Sequence, residues 1–118
     1  MRFDLPNPDD ARILRRLSRV NGAFRSVSTS MPCSYVAAYL AVALKPGLGV
    51  TDYGNAIGIV QPIMSRILLE IGQKSRNGGE GLGLLDSRRD PTDFRQHQVF
   101  LTPKGKMLLN QILNNMRD

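Results

Sequence analysis

At 118 residues the chain has the length of one domain, and its 42% hydrophobic and 22% charged content excludes wholesale disorder. Twelve arginines and four lysines against ten acidic residues leave a net charge of +6 and a pI near 10.1, an excess that suits a polyanion, nucleic acid being the commonest. The single cysteine, Cys33, and the single histidine, His97, exclude an internal disulfide and a structural metal site, and no apolar run nears the ~18 residues of a membrane span.

Asn7-Pro8-Asp9-Asp10 is a helix start: Asn can cap, Pro suits the first turn, and two aspartates complement the dipole. Ile13, Leu14, Leu17, Val20, Phe24 and Val27 then draw one apolar stripe, so a first helix is predicted to about Ser26. Ser30-Met31-Pro32 predicts the cap and start of a second helix, with Cys33, Val36, Ala37, Leu40, Ala41 and Leu44 inward and Lys45-Pro46-Gly47 ending it. Thr51 can cap a short third helix through Ile57, broken by Gly58. A fourth runs from about Gln61 to Gly72 with Met64, Ile67, Leu68 and Ile71 inward. Two short helices joined through a glycine behind a longer one form a helix-turn-helix pattern.

The stretch from Asn77 to Gly83 is too rich in glycine for a helix. Leu82 to Arg88 and Gln96 to Leu101 suit strands, joined by the turn composition Arg89-Asp90-Pro91-Thr92-Asp93. Thr102-Pro103 opens a last helix with Met107, Leu108, Ile112 and Leu113 on one face. The fold class expected is mainly α with a small β-hairpin wing, a winged helix-turn-helix. Residues 1–118 form a single domain: 1–29 the N-terminal helix, 30–74 the helix-turn-helix core, 75–101 the wing and 102–118 the C-terminal helix.

Three motifs in this order carry a resemblance: Gln61-Pro62-Ile63-Met64-Ser65-Arg66, then Asp93-Phe94-Arg95, then Leu101-Thr102-Pro103-Lys104-Gly105. They resemble the MarR family of bacterial regulators, which shows a Ser-Arg pair in its recognition helix, Asp-x-Arg in the wing and Leu-Thr-x-x-Gly entering the next helix. The match runs from about Ser30 to Leu113. The resemblance implies a cytoplasmic, bacterial, phage- or plasmid-encoded homodimer on a roughly palindromic operator in double-stranded DNA, with the first and last helices as dimerisation candidates. Members run longer, so part of the C-terminal dimerisation helix is expected to be missing. Val60 stands where a capping Ser or Thr is expected, and the glycine-rich passage from Ser75 to Gly83 exceeds the family's usual length.

A recognition helix presents its first residues to base edges in the major groove, here Gln61, Pro62, Ser65 and Arg66. Gln pairs bidentately with adenine and Arg with guanine, and Pro62 can instead touch a thymine methyl. The plainer readings are a solvated Gln61, an Arg66 on phosphate or paired with Glu70, and a Ser65 that merely permits close approach. In the wing, Arg88, Arg89 and Arg95 can enter the minor groove or clamp phosphates. Asp93 has the wrong sign for DNA and is assigned to wing geometry, orienting Arg95 or holding the turn. Thr51, Lys104 and Lys106 are candidate phosphate contacts.

Arg12, Arg15, Arg16 and Arg19 read as a solvated face, with inter-subunit salt bridging as the sharper alternative. Cys33, on the apolar side of the second helix, reads as a small core residue rather than a redox sensor, and His97 as an exposed strand residue. No nucleophile–base–acid set and no P-loop ending follow Gly78–Gly83, so neither an enzyme nor a cofactor is expected. No residue set marks a pocket for a small-molecule effector. The alternative function is a winged-helix module for plasmid or phage replication or partition, or for protein–protein docking.

Overall fold

Five helices and one hairpin follow each other in a computed structural model that describes residues 4–73, 79–89, 92 and 97–117. Helix α1 spans Pro8–Val27, α2 Cys33–Leu44, α3 Val50–Ile57, α4 Gln61–Ile71 and α5 Pro103–Arg117, with strands β1 Leu85–Arg89 and β2 His97–Leu101 between the last two. The hairpin is antiparallel, Leu85 facing Leu101 and Arg89 facing His97. This is the winged helix-turn-helix order expected from the sequence.

Local chemistry explains most boundaries. Asn7 Oδ1 accepts the Asp10 amide at 2.8 Å, capping α1 behind Pro8 as expected. Gly58, left-handed at φ 73°, closes α3, and a Cβ on Gly54 would collide with the Ile59 carbonyl. Both glycines therefore permit the tight turn into α4. Two predicted caps differ. Pro32, not Ser30, precedes α2, and no side chain caps that helix. Gly49, not Thr51, precedes α3, its amide donating to Asp52 Oδ2 at 3.2 Å. The Asp52 carboxylate thus satisfies the Gly49 amide, the reciprocal half of a capping box, while glycine has no side chain to supply the other half.

The core is built from the inner faces of α2, α3 and α4 and the hairpin, with Tyr39, Val42, Tyr53, Met64, Ile71, Leu84 and Leu85 almost fully buried. The inward set on α4 is the one its periodicity predicts. On α2 the predicted set is displaced: Ala38, Tyr39, Ala41 and Val42 are buried, whereas Cys33 is exposed, Leu40 is 37% exposed and Leu44 82%. Cys33 is thus not a core residue of the isolated chain. Nearly every position of α2 from Val36 to Leu44 is apolar, so the pattern does not select a face and packing does. Tyr39 meets Phe24 of α1 edge to face at 5.7 Å and donates to the Gly105 carbonyl of α5 at 2.6 Å, tying the end helices to the centre.

The molecule is long for its size, 60 × 28 × 26 Å, with a radius of gyration of 16.5 Å where compact packing gives about 13 Å. The excess is an arm made by α1 against α5, where Arg19 Nε donates to Asn115 Oδ1 at 3.2 Å. Along it the predicted α1 stripe divides. Phe24 is buried and Val20 half-buried, but Ile13, Leu14 and Leu17 are 56%, 55% and 60% exposed. On α5, Leu108 and Ile112 are buried as expected, while Met107 is 66% exposed.

Candidate nucleic-acid interface

Helix α4 presents two unlike faces. Met64, Ile67, Leu68 and Ile71 pack into the core, so the helical repeat turns Pro62, Ser65, Arg66 and Leu69 to the opposite side. Gln61, Pro62, Ser65 and Arg66 are all exposed, which brings the four recognition-helix candidates together on one accessible surface. Val60 precedes the helix in extended conformation and makes no side-chain cap.

The root of the wing is fixed to the far end of this helix by backbone hydrogen bonds. Gly81, Leu82, Gly83 and Leu84 amides donate to the carbonyls of Gln73, Glu70, Gly72 and Ile71 at 3.2, 3.0, 2.7 and 2.9 Å. These partners satisfy the carbonyls that a helix end leaves orphaned. The close approach explains Gly81, where a Cβ would run into the Gly72 and Glu70 carbonyls. Strand β1 consequently begins at Leu85 rather than Leu82, because residues 81–84 are occupied with α4.

The Leu-Thr-Pro-Lys-Gly motif locks the other side of the wing. Thr102 Oγ1 accepts the Gly105 amide at 3.0 Å, capping α5, and donates to the Gly83 carbonyl at 2.6 Å. A Cβ at Gly105 would collide with the Leu84 carbonyl. Lys104 Nζ donates to the Leu82 carbonyl at 2.8 Å, so this candidate phosphate contact is also a strap across the wing root. Lys106 and Thr51 are exposed, Thr51 in the first turn of α3.

Strand alternation separates the two described wing arginines. Arg88 shares a face with Asp86 and Phe100, its guanidinium 4.6 Å from the Phe100 ring centroid and its Nε 3.4 Å from Asp86 Oδ2. Arg89, paired with His97, shares the opposite face with Ser87 and Leu85. That second face borders a groove of about 370 Å³ between α4 and the wing, lined among others by Ser65, Leu69, Ser87, His97 and Val99. Sequence reading assigned no role to Ser87 and only exposure to His97. Their place beside Ser65 follows from strand register, which no local pattern in the chain specifies. Asp93 and Arg95 lie outside the described residues.

No protein-family model and no curated protein matches the chain. Solved structures do. A MarR family transcription regulator is 25% identical with a TM-score of 0.63, covering 86% of this chain and 62% of that one. The PcaV transcriptional regulator from Streptomyces coelicolor is 23% identical with a TM-score of 0.60, covering 92% and 69%. The transcriptional repressor CouR, solved bound to a 23-mer DNA duplex, is 21% identical with a TM-score of 0.61, covering 98% and 80%. The MarR-family resemblance carried by the three motifs is thus matched in the fold of solved regulators. The chain spans 62% of the length of the first of them.

Proposed function

We propose, from the winged-helix fold shared with MarR-family regulators, that the chain is a sequence-specific transcriptional repressor holding a palindromic operator as a homodimer. The observation that carries this reading is the exposed α4 face, Gln61, Pro62, Ser65 and Arg66, on the same molecule as a hairpin whose first strand carries the exposed Arg88 and Arg89. The likeness to CouR, a repressor solved on DNA, supports it.

With α4 in the major groove, Gln61 reads adenine and Arg66 guanine, each contributing roughly 1–3 kcal/mol of discrimination. The sugar–phosphate backbone passes over the groove beside α4, where Ser65, Ser87 and His97 offer polar contacts and Arg89, paired with His97, offsets the Asp86 carboxylate of the lining. Arg88, held over Phe100, and Arg95 complete the basic wing, with Asp93 setting its turn. Thr51, Lys104 and Lys106 add contacts to flanking phosphates. Dimerisation follows from the arm. Ile13, Leu14 and Leu17 are more than half exposed and are covered by none of the described residues, and among these Arg16 Nε is buried with no hydrogen-bond partner.

The test is fluorescence anisotropy of the chain with its own upstream region and with duplexes selected from a random pool. Nanomolar binding with a steep salt dependence is expected. Arg89→Ala should reduce the salt slope by about one, and Gln61→Ala should relax preference at one base pair per half-site. Absence of binding to every duplex sinks the reading.

A further inference from the structure

Among the described residues, the exposed large hydrophobics other than Leu5 fall into three groups. Ile13, Leu14, Leu17, Met107 and Met116 lie on the α1–α5 arm, and Leu40, Leu44 and Leu48 lie on α2 and the turn after it. The third group is on α4: Val60 at 64% exposure, Ile63 at 44% and Leu69 at 47%. A lone exposed aliphatic needs no explanation. Val60, Pro62 and Ile63, however, are all exposed and lie within four consecutive residues, at the helix end assigned to the major groove. Val60 also holds the N-cap position, where Ser, Thr, Asp or Asn would stabilise the helix. A branched hydrocarbon stands there instead, adding apolar surface to this end of the helix at the expense of a cap.

We infer that Val60, Pro62 and Ile63 form an apolar reading edge for the C5-methyl groups of thymine. Each operator half-site then holds at least one thymine recognised by its methyl group. That methyl is the one apolar feature base pairs present in the major groove. Bringing an aliphatic side chain against it removes both surfaces from water, while a cytosine at the same place carries only a hydrogen at C5 and leaves the aliphatic surface uncovered. The inference rests on the reading of α4 as the recognition helix. It adds to the hydrogen bonds of Gln61 and Arg66 a second, non-polar source of discrimination.

The test starts from a duplex selected by the full chain out of a random pool. Each thymine is then replaced singly by deoxyuridine, which pairs identically and lacks only the methyl group. At one or more positions per half-site the affinity should fall about three- to fivefold, the effect of exposing roughly one buried methyl. In Val60→Ser or Ile63→Ser the thymine-to-uracil difference at that position should shrink below about twofold. Both positions are exposed, so the fold tolerates the changes, which a thermal melt verifies. Leu69→Ala, two turns further along α4, should keep the difference. Wild-type affinities within about twofold at every uracil overturn the inference, and so does a difference that survives in both serine variants. Failure of the underlying reading looks different: no duplex is enriched from the pool, and the regulator and methyl readings fall together.

Discussion

Helices α1 and α4 carry equally legible apolar stripes, yet the chain buries only one of them. On α4, Met64, Ile67, Leu68 and Ile71 are at most 8% exposed, closed over by α2, α3 and the wing root. On α1, the C-terminal Phe24 is buried at 4% while Ile13, Leu14 and Leu17 stay more than half exposed. The same periodicity thus produces a core in one place and an open surface in the other. What separates them is reach. Helix α4 sits in the middle of the element order with neighbours on both sides, whereas α1 makes its main contact with α5. An amphipathic pattern states that a face needs covering, not that its own chain covers it.

The largest way to test that contrast is Ile71→Ala. Ile71 is fully buried, so its loss should destabilise the fold by about 2–5 kcal/mol in urea unfolding at fixed protein concentration. Next is Tyr39→Phe, which removes a buried hydrogen bond to the Gly105 carbonyl and should cost roughly 0.5–1.5 kcal/mol. Its pH dependence gives a second readout. Burial pushes the Tyr39 hydroxyl up to about 12, so the unfolded chain ionises this tyrosine first, near pH 10. Its contribution is intact below pH 10 and is lost as the pH rises from 10 towards 12. Alkaline unfolding followed by circular dichroism should therefore be shallower over that window in Tyr39→Phe than in the wild type.

Smaller and of opposite sign is Val60→Ser. A hydroxyl at the α4 N-cap should raise stability by about 1 kcal/mol, seen as a higher Tm, while thymine-methyl discrimination declines. The smallest effect on the fold is expected from Leu17→Asp, within about 0.5 kcal/mol for the isolated chain, because the side chain is already 60% exposed. The arm reading nonetheless requires sedimentation velocity to show a shift from dimer to monomer and operator affinity to fall at least tenfold. A Leu17→Asp variant that remains a dimer would break the assignment of this face to a second copy.

Much of the candidate site was legible because its signals are local. Asn7 and Thr102 as caps, Gly58 as a break and the inward four of α4 all follow from interactions within a few residues. At α2 and at Lys104, where the structure differs, the deciding contact is distant. Cys33 and Leu44 point outward because α2 is apolar on nearly every side, and Tyr39 wins the interior through Phe24 of α1 and the Gly105 carbonyl of α5. Likewise, Lys104 reads as a free cation in sequence and is engaged by a carbonyl 22 residues away.

The order of helices, the hairpin, the charge excess and the outward Gln61-Pro62-Ser65-Arg66 set were determined by the sequence alone, since helical and strand periods are properties of neighbouring residues. Tertiary structure alone decided which face of the wing turns towards α4, so that Ser87 and His97 join Ser65 across one groove. It also left half of the α1 stripe open. Register and long-range packing settle those questions, and shifting a strand by one residue would have reversed the first of them.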